Sequence, residues 1–157
     1  MQIEISGRAS KKLKNELALA AEFFATQLMD IRMVRNLKID LEVKDTFDVN
    51  GECTNEEGTK NPRWFTITLK KKPKGEDIFQ VLAHEMVHVK QYAKNELSKQ
   101  FRLTRGAIST ASKWHGEFWI PKSKEDPYWD CPWEIEAYGR EVGLIHKWYA
   151  LKDEING

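Results

Sequence analysis

The feature that most constrains this chain is a pair of histidines four residues apart inside a predicted helix. His84, Glu85 and His88 form the pattern His-Glu-x-x-His at 84–88. Side chains four residues apart lie on one face of an α-helix, so both imidazoles point the same way. Each can bind zinc through a neutral nitrogen at about 2.0–2.1 Å, and the adjacent glutamate can take a proton from a water at the metal. The pattern therefore predicts a catalytic zinc site.

The segment around this motif has the pattern of an amphipathic helix from about Glu76 to Asn95. Glu76 and Asp77 fall in its predicted first turn, where the helix dipole favours acidic side chains. Apolar residues recur at helical spacing and would hold the helix against a core: Ile78, Leu82, Met86 and Val89. The alternative is a helix with two ordinary histidines and with Glu85 as a surface charge, but the helical context favours the metal site.

Further elements are predicted on both sides of that helix. Helical spacing of apolar residues indicates helices from Ser10 to about Arg32 and from Pro132 to about Lys152. Alternating apolar and polar residues predict strands at 37–43 and 63–70. We also predict a turn around a short strand near Cys53 (48–60), a loop with a short hairpin (101–120) and a polar loop (121–131). This order of elements is typical of an α+β fold.

Length, charge and cysteine content limit the class of protein. A chain of 157 residues predicts a single domain spanning 1–157. Its formal net charge of +1 argues against a dedicated nucleic-acid or membrane-surface protein. The two cysteines, Cys53 and Cys131, lie far apart and fit a reducing cytoplasm better than a secreted scaffold. No run approaches the roughly 20 apolar residues that a membrane helix needs.

A catalytic zinc ion needs a third protein ligand and an open position for water. The downstream candidates are His115, Glu134, Glu136, Glu141 and His146. A helical wheel of the last helix predicts one apolar face that contains Ile135, Tyr138, Val142, Ile145 and Tyr149. Glu134 lies at the flank of that face, whereas Glu136 lies off it and would pair with Arg140 at the surface. This favours Glu134, with Glu136 or a histidine as alternative ligands and helix capping as an alternative role for Glu134.

At this point the chain resembles a gluzincin-type metallopeptidase. In that family the His-Glu-x-x-His helix is joined by a glutamate of a later helix within a Glu-x-x-Ala pattern, which maps onto Glu134 and Ala137. Many gluzincins have an aspartate one residue after that alanine, whereas this chain has Tyr138. The specific match covers about 75–91 and 132–141. The chain as a whole is also similar to small SprT-like and bacteriophage-encoded proteins with the same motif.

The resemblance implies an α+β zincin-like domain with the motif helix at its centre. It implies Zn²⁺ held by His84, His88 and Glu134, and a zinc metallopeptidase in which Glu85 is the general base. The substrate would be a protein or peptide lying along an edge strand, for which 63–70 has the right place in the chain. The location would be the cytoplasm, including that of a phage-infected host cell.

A second class of function stays open, namely a SprT-like DNA-associated protein or a phage accessory module with a non-catalytic zinc site. The near-neutral charge and the lack of a zinc ribbon weigh against strong autonomous binding of nucleic acid. A closed structural zinc site would have no use for Glu85, so the intact motif favours catalysis.

Three further expectations concern residues around the site. Gln91 lies one turn after His88 and could support a ligand or contact substrate, but a surface role is favoured. The donor that stabilises the oxyanion is expected among Tyr138, His115, His146 and Tyr149. Most aromatic residues before and at the start of the last helix are expected in the core, with some lining a cleft: Trp114, Phe118, Trp119, Tyr128, Trp129 and Trp133.

Overall fold

The computed structural model of the chain describes residues 1–104, 106–122 and 125–157, and leaves the side chains of 101–104 and 107–109 undescribed. Within that part of the chain the fold is a mixed α+β arrangement of four α-helices and two sheets, which confirms the predicted α+β class. The elements in chain order are β1 (Gln2–Gly7), α1 (Lys11–Leu28), α2 (Ile31–Arg35), β2 (Lys38–Lys44), β3 (Gly51–Asn55), β4 (Trp64–Lys70), α3 (Ile78–Ala93), β5 (Leu97–Thr104), β6 (Ala107–Trp114), β7 (Glu117–Phe118), a short 3₁₀ helix (Pro127–Asp130) and α4 (Pro132–Asn156).

The larger sheet has the strand order β1-β2-β4-β3. Strands β1, β2 and β4 are parallel, and β3 runs antiparallel to β4 at one edge. The prediction that 63–70 is the edge strand is wrong, because the short segment around Cys53 forms β3 and covers that side of β4. Strand β1 was not predicted, since Ile3 and Ile5 are its only large apolar residues.

The core lies between this sheet and the helices α1 and α3. Alternate side chains of β2 and β4 are at most 1% exposed: Ile39, Leu41, Val43, Phe65, Ile67 and Leu69. They form one cluster with Leu17 and Phe24 of α1 and with Leu82 and Met86 of α3. Each such side chain contributes about 1.5–3 kcal/mol through its removal from water, so this cluster fixes α3 against the sheet.

The predicted first helix is divided into two. Met29 has an extended backbone and ends α1, and Asp30 begins α2 as its N-cap. The Asp30 carboxylate accepts hydrogen bonds from the backbone N–H groups of Arg32 (2.9 Å) and Met33 (3.1 Å). A cap of this kind stabilises a new helix start by about 1 kcal/mol, which the apolar periodicity alone did not reveal.

Helix α4 turns a different face to the core than the helical wheel predicted. Its buried residues are Ala137, Glu141, Leu144 and Trp148, whereas Ile135 and Val142 of the predicted face are 58% and 50% exposed. The ring of Trp148 lies 5.8–6.2 Å from the rings of Phe23, Phe24 and Phe79. One large aromatic side chain therefore outweighs several smaller apolar ones in setting the rotation of this helix.

The smaller sheet follows α3 and confirms the predicted hairpin, which is longer than expected. Strands β5 and β6 are antiparallel over eight residues each, and β7 adds a short third strand. Leu97 at the start of β5 is 3% exposed and packs on the core. Arg105 in the predicted hairpin region, and Ser123 and Lys124 in the predicted polar loop, lie outside the described residues.

Two expectations from composition can be compared directly with the structure. Cys53 and Cys131 are free thiols. Among the described residues, every helix is too short or too polar to cross a bilayer.

Candidate metal centre

Helix α3 carries the His-Glu-x-x-His motif through the middle of the fold. Asp77, predicted in its first turn, is instead its N-cap, and all residues from Val81 to Ala93 are buried. His84 and His88 are each 8% exposed and Glu85 is 5% exposed. A helix that is enclosed on nearly all sides cannot rotate without breaking its packing, so the directions of these side chains are fixed.

The third predicted ligand reaches the same point in space. The Nε2 atoms of His84 and His88 lie 3.2 Å apart. Oε2 of Glu134 lies 3.1 Å from Nε2 of His84, and its Oε1 lies 3.3 Å from Nε2 of His88. Ligands bound tetrahedrally to zinc at about 2.0–2.1 Å are roughly 3.3–3.4 Å from each other. The donor set and its spacing therefore fit a small divalent cation.

Hydrogen bonds to the other ring nitrogens fix the tautomer of both histidines. Nδ1 of His84 donates to Oε2 of Glu141 at 2.8 Å, and Nδ1 of His88 donates to Oε1 of Gln91 at 2.8 Å. Each neutral imidazole then has a bare lone pair on Nε2, and the two lone pairs face each other beside a carboxylate. Such an arrangement is stable only around a cation, either a metal ion or a bound proton.

Gln91 is a central support of this arrangement, and the prediction of a surface role for it is wrong. Its side chain is fully buried. Its Nε2 donates to the carbonyl of Trp133 and to Oε1 of Glu136, both at 2.9 Å. Because both partners only accept, the amide must present its oxygen to His88. Helix α4 thus sets the orientation of a ligand on α3.

Glu136 is held between two helices by positive charges. Nζ of Lys90, a buried lysine of α3, lies 3.0 Å from its Oε1, and Nε of Arg140 lies 3.3 Å from its Oε2. Lys90 also pairs with Glu96 at 2.7 Å. The predicted pair with Arg140 is confirmed, but Glu136 is not simply at the surface. Its charge neutralises Lys90, and its oxygen orients Gln91.

We expect replacement of Gln91 by leucine to weaken zinc binding about ten- to a hundred-fold, as loss of a partner behind a metal ligand typically does. The reason is that Nδ1 of His88 loses its acceptor, so the ring can turn or change tautomer. The measurement is competition for zinc against a chromogenic chelator. Gln27→Leu makes the same chemical change on the exposed surface of α1 and serves as the control. Equal zinc affinities of Gln91→Leu and Gln27→Leu would contradict this role.

The directions of the pKa shifts agree with a site built around positive charge. Burial acts to lower the pKa of His84, but hydrogen bonds that its ring donates to the carboxylates of Glu134 and Glu141 raise it to about 10. Burial acts to raise the pKa of Glu134, but hydrogen bonds from His84 and His88 bring it well below its usual range. These pKa shifts apply when protons are the only cations bound at the site. A divalent ion competes with the proton for Nε2 of His84.

Glu85 lies apart from this ligand group and faces the adjoining cavity. Burial raises the pKa of Glu85 to about 7, although positive charge on His88 and His84 partly opposes the shift. A Cβ atom built on Gly51 of β3 would lie only 2.9 Å from Oε1 of Glu85. The edge strand therefore approaches this carboxyl group closely, and only a glycine leaves room for it.

The face that α4 presents to α3 brings Glu134 to the site. Glu134, Ala137 and Glu141 recur at helical spacing on that face, and Ala137 is fully buried. Ala137 allows the close approach of the two helices, as predicted, whereas Gly139 is exposed and takes no part. The helical wheel thus favoured Glu134 for a wrong reason, while the Glu-x-x-Ala pattern agrees with the position of Glu134 beside His84 and His88.

The other candidate ligands have different positions. Glu141 stands behind His84, with its Oε2 2.8 Å from Nδ1 of that ring. His115 and His146 are exposed. Within the described part of the chain, the only group of three potential metal-binding side chains with closely spaced donor atoms is His84, His88 and Glu134.

A cavity of about 690 Å³ opens over this group. Tyr128 and Tyr138 line it, and the Tyr128 hydroxyl donates to Oε2 of Glu134 at 2.9 Å. The two hydroxyls are 3.1 Å apart. Burial and the hydrogen bond with Tyr138 raise the pKa of Tyr128, so it stays a neutral donor. Sequence reasoning missed Tyr128 in this role because the 3₁₀ helix that carries it was predicted as an ordinary loop.

The expectation that most of the aromatic cluster lies in the core is wrong. None of its six members is fully buried, and Trp129 is 60% exposed. Trp133 lies beside Trp114 and Trp119, with ring centroids 6.3 and 5.1 Å away, and Tyr128 and Trp133 line the cavity. The other four members of the cluster do not line it.

Comparison with known proteins adds no relative to this description. No protein-family model, no curated protein and no solved structure matches the chain.

Proposed function

We propose that this protein is a zinc-dependent metallopeptidase with a zincin-like active site. The observation that carries the proposal is the convergence of three donor groups whose ligand atoms lie within 4.8 Å of one another, beside a buried glutamate and beneath an open cavity. A zinc ion held at these groups would act as a Lewis acid, which would lower the pKa of a bound water towards about 7 and polarise a carbonyl group. His84, His88 and Glu134 are its proposed ligands.

Glu85 is the proposed general base. Its carboxylate lines the cavity, where it can accept a proton from the attacking water and then return it to the leaving amine. Its position between α3 and β3 keeps it on the cavity side of the ligand group, where the attacking water must approach. Of the four predicted oxyanion donors, Tyr138 lines this cavity and the other three do not. Tyr128, which was not among the predicted donors, lines it as well.

A peptide is the substrate class that the surroundings favour. Strand β3 lies at an edge of its sheet and lines the cavity through Gly51, Glu52 and Cys53. An edge strand can hold an extended peptide through main-chain hydrogen bonds, independently of most side chains. The scissile bond would then cross in front of Glu85, at the level of Gly51.

The proposed function is tested by metal analysis and a cleavage screen on the same preparation. We expect one zinc ion per chain and cleavage of a peptide library derived from a whole proteome. Cleavage should stop when a chelator removes the zinc and return when zinc is restored. Zinc-loaded protein that cleaves no peptide, but shows salt-dependent retention on DNA, would instead favour a DNA-associated protein with a non-catalytic site.

We expect Gly51→Ala to lower kcat about ten-fold or more while leaving zinc affinity unchanged. The added methyl group would lie 2.9 Å from Oε1 of Glu85 and 2.5 Å from Cγ1 of Val81, so the flexible carboxylate would have to move. Small misplacements of a reacting group have effects of this size. Gly143→Ala on α4 is the control, since nothing lies within 4 Å of its built Cβ. An unchanged kcat in Gly51→Ala would contradict the proposal that Glu85 contacts the reacting water.

A further inference from the structure

A second cavity of about 670 Å³ adjoins the one over the metal centre. The two share five lining residues: Glu52, Cys53, Tyr92, Leu97 and Lys99. They therefore lie side by side along β3 from Gly51 towards Asn55, and the start of β5 borders both; together we call them the cleft.

The charge of the cleft changes sign along its length. The part over the metal centre is lined by Glu52, Glu76, Glu85 and Glu134, and Lys99 is the only lysine or arginine among its described lining residues. The adjoining part is lined by Lys60, Lys99 and Lys113, and the part of the chain that the structure describes contributes one acidic residue to it, Glu52. A bound chain would thus meet an excess of positive charge on one side of the proposed cleavage point.

The lysines of the second cavity are available to a ligand. Among the described residues, neither Lys60 nor Lys99 has a carboxylate within 4.0 Å. Nζ of Lys113 lies 4.6 Å from the centroid of the Phe118 ring. It makes no ion pair with a described carboxylate. Lys90, by contrast, is buried and paired with two glutamates. Lys99 is the central residue of the three, because it lines both cavities.

We propose that Lys99, supported by Lys60 and Lys113, forms a subsite for an anionic side chain of the substrate. This proposal rests on the proposed peptidase function and names the class of peptide it prefers. The four steps between the five strand residues Gly51 to Asn55 span about 13 Å at roughly 3.3 Å each, so the anionic residue belongs about two to four residues from the scissile bond. Carboxylate side chains and phosphoserine share the required chemistry.

The test measures peptide binding separately from cleavage. Short alanine-rich peptides carry glutamate, aspartate, phosphoserine or glutamine at one position, and each is titrated into the zinc-loaded Glu85→Gln protein. We expect an anionic residue at one of these positions to tighten binding about ten- to a hundred-fold over glutamine, as a hydrogen bond to a charged group does. The ranking of the three anions identifies the source of the negative charge.

Charge reversal assigns this preference to Lys99. In the same background Lys99→Glu should abolish the preference for anions, and Lys99→Met should reduce it. Lys12→Glu on the exposed surface of α1 makes an equal change in net charge and should leave it intact. Equal binding of anionic and glutamine peptides, no binding of either, or an unchanged preference in Lys99→Glu would overturn the subsite. Anionic peptides that bind through Lys99 but are not cut by the wild-type protein would overturn the proposed function alone.

Discussion

The Glu85→Gln variant is expected to retain its zinc and to lose peptide cleavage by about a hundred- to ten-thousand-fold in kcat. Glutamine has nearly the same shape and keeps the contact with Gly51, but it cannot accept a proton from water. Because Glu85 is not among the three closely spaced donor groups, the ligand geometry should be unaffected. The measurement is steady-state cleavage of the best peptide from the library screen, with zinc content determined on the same sample.

Glu22→Gln makes the same substitution on the exposed face of α1 and is the matched control. It should cleave as fast as the wild-type protein. Full activity in Glu85→Gln would show that another group takes the proton. Loss of zinc from that variant would place Glu85 among the ligands instead.

The His84→Ala variant is expected to lose zinc binding by at least about a hundred-fold. Structural zinc sites with four protein ligands bind with about 10–16 kcal/mol, which gives roughly 3 kcal/mol for each ligand. The loss here should be larger than that for Gln91→Leu, because an atom that touches the ion is removed rather than a support behind it. Zinc content after dialysis and affinity against a chelator are the two readouts.

His146→Ala is the control for this variant, since His146 is an exposed histidine of α4 outside the donor group. It should bind zinc like the wild-type protein. The His84→Ala protein should still fold, because the removed ring is replaced by a smaller side chain beside the open cavity, and a thermal unfolding curve checks this. A folded His84→Ala protein with one tightly bound zinc per chain would refute the assignment.

The parts of the site that lie within one helix were predictable from the sequence. The positions of His84, Glu85 and His88 follow from a spacing of one helical turn, and the apolar residues around them ensure burial. The strands β2 and β4 were predictable for a similar reason, since their alternation is local and strong. The third donor, Glu134, was found through a family pattern, because local periodicity assigned the wrong inward face to α4.

The parts that depend on distant residues were not predictable. Gln91 is held by the carbonyl of Trp133 and by Glu136, more than 40 residues away, and a lone glutamine on a helix gives no sign of them. The one usable signal was its spacing of three residues from His88, which places it within reach of that ring. The edge strand β3 was underestimated because it is short and begins at Gly51, whose role depends on contact with Glu85.

X-ray diffraction at the zinc absorption edge, on crystals of zinc-loaded protein, tests the central claim most directly. The account predicts a single strong anomalous peak that marks one zinc ion. This ion is bound by Nε2 of His84, Nε2 of His88 and the carboxylate of Glu134, and solvent occupies one further coordination position. A peak bound by other side chains, or no peak at these three groups after zinc loading, would contradict it.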